Sequence, residues 1–202
     1  MHHSYRFLLI VGTIIAITAL LFLQKVEAGD QEKKSKSFSY DEARSPWFSK
    51  SFNEKTVDHV YIGNSRVEAV GMEFTIPQPS SGIMRAVVLA GAAGDASIYF
   101  QSNNAEGVGG YIGGITHKPI AKAATEMVAN ASRHIQLMEP TQDFPYVSPG
   151  NVRFIVLTKD GMYTKEVKEQ EVTLESHPFF DLYAAGQQVI TAYRELDQKQ
   201  KR

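Results

Sequence analysis

The chain has 202 residues, and its 21 lysines and arginines nearly balance its 22 aspartates and glutamates, for a formal net charge of −1. Apolar residues make up 43% of it and charged residues 21%, a globular composition that excludes a wholly disordered chain. The near-neutral charge argues against a nucleic acid partner. The absence of cysteine excludes disulfides, thiol catalysis, cysteine-ligated zinc and lipid anchors attached to cysteine.

The N-terminus carries a long uncharged apolar stretch, Phe7–Leu23, which Arg6 precedes and Lys25 follows. As a helix its 17 residues would span about 26 Å, just short of a hydrocarbon core of roughly 30 Å. The stretch is also longer than the apolar region of most signal peptides, yet Val26–Ala28 resembles a signal-peptidase site. We therefore expect residues 1–28 to be either a signal peptide or a transmembrane anchor, which would attach the uncleaved chain to the membrane.

The positive charges beside this stretch and the cleavage pattern point in different directions. Only Arg6 precedes the stretch, whereas four lysines follow it, and this bias favours a cytoplasmic C-terminal domain. The site ending at Ala28 favours export, because a cleaved product has no orientation in the membrane. We expect an extracytoplasmic protein, membrane-anchored or secreted, with the bacterial periplasm favoured.

Residues 29–56 are typical of a flexible tether, because they are rich in serine, lysine and glutamate and have no sustained period. The tether contains four aromatic residues: Phe38, Tyr40, Trp47 and Phe48. One interpretation is that these rings dock loosely on the following domain; the other is a short recognition segment over Ser45–Phe48.

Residues 57–202 are predicted to form the globular domain, which begins with strands. A hairpin is indicated by two apolar runs around Gly63 and Asn64, and alternating or continuous apolar patterns indicate further strands. The predicted strands are Val57–Ile62, Arg66–Val70, Met72–Ile76, Ile83–Ala90, Ala96–Gln101 and Val108–Ile112.

The second half of the domain is predicted to contain two helices separated by a hairpin. Apolar residues recur at steps of three and four over Pro119–Met138, and again from Pro178 to the C-terminus. Between them, Val152–Thr158 and Met162–Val167 flank a turn signal at Lys159–Gly161. The order predicts an α+β fold: a mostly antiparallel sheet with two packed helices, a two-layer sandwich preceded by the N-terminal signal or anchor helix.

The densest unusual feature is the stretch Gly107–Gly114, which holds five of the chain's 15 glycines. Glycine backbones approach a ligand closely and a helix begins soon afterwards, so the stretch could bind an anion or small ligand. It matches neither nucleotide-binding pattern, and an edge strand at a tight packing point is the other interpretation. The candidate ligand-binding residues are Gly109, Gly110, Tyr111, Gly113, Gly114 and Lys118.

No other pattern indicates catalysis, a metal or a cofactor. The domain's histidines are scattered without the spacing that places two ligands on one helical face: His59, His117, His134 and His177. There is no nucleophile elbow, and Asp95 with Ser97 is typical of a turn. We assign no catalytic residue and no metal ligand, and we expect no cofactor.

These patterns favour a membrane-tethered or secreted non-enzymatic domain that binds a protein partner, as an accessory or inhibitory component of an envelope. Two alternatives remain open. One is a small-ligand or anion-binding protein that uses the Gly107–Gly114 loop. The other is a hydrolase whose site is assembled only in three dimensions.

Overall fold

A computed structural model describes residues 39–48, 61–62, 65–78, 82–102, 108–143 and 145–200, all within one compact unit, Ser37–Arg202. The apolar stretch Phe7–Leu23 and the cleavage pattern at Val26–Ala28 lie outside these residues. Among the helices that are described, none has the length and apolar character needed to cross a membrane.

Seven strands form one antiparallel sheet in the order β5-β4-β3-β2-β7-β8-β6, and β1 pairs with the start of β2. The strands are β1 (Tyr61–Ile62), β2 (Ser65–Pro77), β3 (Ile83–Gly91), β4 (Ala96–Ser102), β5 (Gly109–Ile112), β6 (Glu139–Thr141), β7 (Asn151–Thr158) and β8 (Gly161–Lys168). This sheet, packed with helices, confirms the predicted α+β class.

Two of the helices pack on each other and on one face of the sheet. They are α2 (Lys118–Ser132) and α4 (Phe180–Gln200), and a short helix, α3 (Glu169–Val172), follows β8. Because side chains alternate along β2, Met72 points toward the helices, and its side chain packs against the backbone of α4 at Gly186. A Cβ atom at position 186 would lie 2.7 Å from the Met72 sulfur, so the glycine brings α4 close to the sheet.

The first of these helices is shorter than its apolar pattern predicts. It ends at Ser132, and a 3-10 turn, Ile135–Leu137, and the short strand β6 follow. The N–H groups of Arg133 and His134 bond three residues back, to Asn130 and Ala131, instead of four. This tightening of the last turn ends the helix.

The opposite face of the sheet is covered by residues 39–48, which we call the N-terminal segment. It consists of α1 (Tyr40–Arg44) and a 3-10 turn, Ser45–Phe48. Ser39 caps α1: its hydroxyl accepts from the Glu42 N–H at 3.1 Å, and the Glu42 carboxylate accepts from the Ser39 N–H at 2.8 Å.

This segment falls within the predicted tether at 29–56, but three of its aromatic side chains lie in the protein core. Tyr40, Trp47 and Phe48 are buried against apolar residues of four strands: Ala69, Val87, Leu89, Tyr99, Ile155 and Leu157. Phe38, the fourth aromatic, lies outside the described residues. Residues 39–48 are therefore part of the packed domain and do not form a free linker.

Candidate functional site

The predicted glycine site is the edge strand β5 and the turn after it. Gly109, Gly110 and Tyr111 lie in β5, which pairs only with β4 among the described strands. At Gly110 the two backbones come so close that a Cβ atom would lie 2.1 Å from the Ile98 carbonyl oxygen. Close strand packing therefore accounts for this glycine.

The other two glycines of the predicted site lie where the chain turns from β5 into α2. Gly113 has a φ of +84°, a left-handed conformation that favours glycine. A Cβ atom at Gly114 would lie 2.3 Å from Ile120 and 2.9 Å from the Tyr193 hydroxyl. Lys118, the sixth predicted residue, is exposed at the first position of α2. The ligand site stays a prediction, because packing or backbone conformation accounts for three of its glycines.

Tyr193 of the last helix, α4, lies beside this turn. Its hydroxyl donates a 2.6 Å hydrogen bond to the Ala96 carbonyl, and its ring lies 5.4 Å from that of Tyr111. Burial, together with the nearby charge of Asp95, raises the pKa of the Tyr193 hydroxyl, so it remains a donor at neutral pH. Helix α4 is thereby joined to β4 and β5.

The two edges of the sheet differ in chemistry. The β6 edge carries Pro140, which cannot donate to a further strand, and Glu139, which is 3.2 Å from the Lys165 ammonium. The β5 edge has neither proline nor charge within Gly109–Ile112. The Ile112 side chain is 73% exposed and that of Ile115, in the following turn, 51%. Among the described residues of this edge, neither a charged side chain nor a proline opposes pairing with another strand.

A second site, absent from the sequence predictions, lies under the N-terminal segment and centres on Glu73 of β2. The Glu73 side chain is fully buried. Its Oε1 atom accepts from Arg44 Nη1 at 2.7 Å and from the Tyr40 hydroxyl at 3.2 Å. Arg44 Nε also bonds Asp41 at 3.0 Å, and Asp41 accepts from Tyr146 at 2.7 Å. We call these five residues the Glu73 cluster.

A neighbouring ion pair joins β7 to β8. Arg153, the register partner of Glu73, donates through Nη2 to Glu166, which also accepts from Asn151 at 2.6 Å. Within the described part of the chain, Arg153 Nη1 and Glu73 Oε2 are buried without hydrogen-bond partners. A donor and an acceptor on adjacent strands are what a buried water satisfies.

The pKa of Glu73 is raised above the ordinary value of a glutamate, whereas the pKa of Glu166 is lowered. Burial raises the pKa of Glu73, and the Arg44 charge and the Tyr40 hydrogen bond offset this only in part. Burial alone would also raise that of Glu166, but its hydrogen bonds from Asn151 and Arg153 outweigh burial and lower the pKa. Because the N-terminal segment closes Glu73 off from solvent, its carboxyl cannot reach a substrate in this conformation.

Sequence reasoning missed Glu73 for a physical reason. Alternation along β2 placed it on the solvent side of a half-buried strand, opposite Met72 and Phe74. The structure buries both faces, since the N-terminal segment covers the second one. The available signal was Arg44 beside Tyr40, Trp47 and Phe48 in the tether, but no local rule pairs it with a glutamate 29 residues away.

Three histidines lie among the described residues: His117, His134 and His177. The described residues contain no group of three or more histidine, aspartate or glutamate side chains placed to hold a metal ion. His134 is buried instead between two backbone carbonyls, with Nδ1 2.8 Å from Asn130 O and Nε2 2.7 Å from Pro178 O. This histidine links the end of α2 to the start of α4.

The chain has no significant match among known family models, curated proteins or solved structures. Function therefore has to be argued from the geometry of these two sites.

Proposed function

We propose that this protein is a membrane-tethered or secreted non-enzymatic domain that binds a partner protein, as an accessory or inhibitory envelope component. The partner adds an extended segment as a further strand beside β5. The observation that supports this is the β5 edge, whose described residues include neither a charge nor a proline, in contrast to the β6 edge with Pro140 and Glu139. Strand addition draws affinity from main-chain hydrogen bonds and specificity from alternate side chains.

The side chains of β5 suggest the chemistry of the added strand. Ile112 presents an exposed apolar side chain at the end of β5. Ile115 extends this apolar surface beyond the strand. We therefore propose an extended partner segment with an apolar residue near Ile112.

The proposed location rests on the sequence alone. Phe7–Leu23 would attach the domain to the membrane if it is not cleaved, and cleavage after Ala28 would release it outside the cytoplasm. Sequencing the N-terminus of the native protein decides between them: Gly29 indicates a signal peptide, and Met1 or His2 indicates an anchor.

The binding proposal is tested by affinity capture from the native membrane fraction with mass spectrometry, using two matched variants. Ile112→Lys places a charge on the β5 edge, and Leu174→Lys makes the same change at a side chain that is 44% exposed elsewhere. We expect Ile112→Lys to lose the partner at least tenfold and Leu174→Lys to keep it. Equal capture by both variants, with circular dichroism showing both folded, would refute strand addition at β5.

A third variant separates this proposal from the anion-binding alternative. Strand addition does not use the Lys118 side chain, so Lys118→Ala is expected to retain the partner. Loss of binding in Lys118→Ala alone would favour the ligand site over the edge strand.

A further inference from the structure

The N-terminal segment contacts the sheet through its side chains and is not one of the strands. Two of its backbone hydrogen bonds are internal, since the Ala43 N–H bonds Ser39 O and the Ser45 N–H bonds Asp41 O, and none of its residues lies in a described strand. Its described bonds to the sheet come from the side chains of Tyr40 and Arg44, both to Glu73. The segment can therefore leave and dock again without breaking a strand pair.

The face of the sheet under the segment has a recess, which we call the socket. It is formed by Gly71, Glu73 and Gly91 with the apolar residues around them. Gly71 of β2 lies under the Phe48 ring, where a Cβ atom would be 2.7 Å from Phe48 Cζ. At Gly91 of β3, a Cβ atom would lie 3.5 Å from Cζ3 of the Trp47 ring. Glu73, two residues from Gly71 on the same face, receives Arg44. Because both side chains of this pair are buried, loss of Arg44 would leave the Glu73 carboxyl without its charged partner.

Separating the segment from the socket is unfavourable for both, because each would expose apolar side chains to water. Without the segment, Glu73 would lose both of its described hydrogen-bond partners and the apolar residues around it would face water. The released segment would expose Tyr40, Trp47 and Phe48. The segment of a second copy restores every one of these contacts, because the two chains are identical.

We infer that the N-terminal segment exchanges between two copies of this chain, each segment docking in the socket of the other copy to form a two-fold dimer. The twelve residues 49–60 connect the segment to β1 and can span up to about 40 Å. A sheet of this size is about 30 Å wide at 4.8 Å per strand, so the connection is long enough to reach a neighbouring sheet. Because the contacts are the same in both forms, protein concentration decides between them.

The direct test uses the full chain at high concentration, with dimer separated from monomer by size-exclusion chromatography. One half of the protein carries 13C and the other half does not. We expect isotope-filtered NOEs between Trp47 of one chain and the Leu89 methyl groups of the other. A dimer whose Trp47–Leu89 NOEs are all within one chain overturns the inference, and so does a chain that stays monomeric at millimolar concentration.

A second test uses a pair of charge reversals, Arg44→Glu and Glu73→Arg. Each variant alone places two like charges together, both within one chain and in its own exchanged dimer. In the mixture, the exchanged heterodimer pairs Glu with Arg at both sockets. We expect a dimer fraction at least tenfold larger in the mixture than in either variant alone.

The double variant in one chain is the control for this experiment. It restores an oppositely charged pair within the monomer and is expected to fold as the original chain does. A mixture with no more dimer than its components overturns the exchange. Should the double variant fail to fold, the NOE test on the original chain decides the question.

Discussion

At the scale of single residues, Glu73 is the side chain whose environment departs most from its type. It lies in the middle of a sheet, buried, and the two residues that bond it, Tyr40 and Arg44, belong to the N-terminal segment. Desolvation disfavours its charged form more than Arg44 and Tyr40 favour it, so its pKa is raised above the ordinary 4.5. The folded protein therefore holds this proton to a higher pH than the unfolded chain does.

This gives a pH-dependent prediction for Glu73→Gln. The stability that the bound proton contributes is full below pH 4.5 and is lost as pH rises through the folded-state pKa. The free energy of unfolding of the original protein, relative to Glu73→Gln, should therefore fall from pH 4.5 toward neutrality. Urea denaturation of both proteins at a series of pH values measures this difference.

Asp41 and Glu166 do not contribute to this difference in unfolding free energy between the original protein and Glu73→Gln. Their pKa values are lowered, because hydrogen bonds from Tyr146 and Arg44 to Asp41, and from Asn151 and Arg153 to Glu166, outweigh burial. Their contributions are lost only as pH falls below their ordinary values, and both proteins contain them. Parallel stability profiles for the two proteins would show that the pKa of Glu73 is not raised.

At the scale of elements, His134 links the two long helices. Its ring lies between the Asn130 carbonyl in the last turn of α2 and the Pro178 carbonyl just before α4. The ring also packs on Phe179, which stacks on Phe154 of the sheet at 5.6 Å. Helix, helix and sheet thus meet at one buried side chain.

We expect His134→Ala to lower the free energy of unfolding by about 1–3 kcal/mol, because it removes a buried ring that packs on Phe179 and the hydrogen bond that this ring donates to a backbone carbonyl. The neighbouring exposed residue gives the control, Arg133→Ala, with a change below about 0.5 kcal/mol. Urea midpoints at fixed pH measure both changes. Equal midpoints for the two variants would mean that His134 does not join the helices.

At the scale of the whole molecule, the sheet is covered on both faces. Helices α2 and α4 pack on one, and the N-terminal segment packs on the other. The domain therefore includes residues N-terminal to Val57, the boundary that composition predicts.

Two truncations test this extent of the domain. A chain that starts at Ser37 retains the N-terminal segment and should keep the unfolding free energy of the full protein. A chain that starts at Val57 loses the buried rings of Tyr40, Trp47 and Phe48, which together contribute several kcal/mol at about 1.5–3 kcal/mol each. Urea unfolding followed by circular dichroism measures both. Equal stability would place the segment outside the folded core.

Much of the fold could be predicted because it rests on local periodicity. The β7–β8 hairpin turns at Lys159–Gly161 as predicted, with Thr158 paired to Gly161, and α2 begins beside Pro119. The strand β6 was missed, since three residues with a proline carry no period. The runs predicted on either side of Gly71 form one strand, because Gly71 pairs with Leu89 of β3 and Ile155 of β7.

The sequence by itself determined the α+β class, the order of most strands and of the two long helices, and the location of the glycine-rich turn, since each depends on residues close together in the chain. The tertiary structure decided that β5 lies at one edge of the described sheet, that Glu73 is buried and that the N-terminal segment belongs to the core. These depend on contacts between distant residues, such as Arg44 and Glu73 at 2.7 Å. Such a contact cannot be predicted from the sequence of a short helix without a repeating apolar pattern, because the residue it contacts comes close only when the sheet has formed.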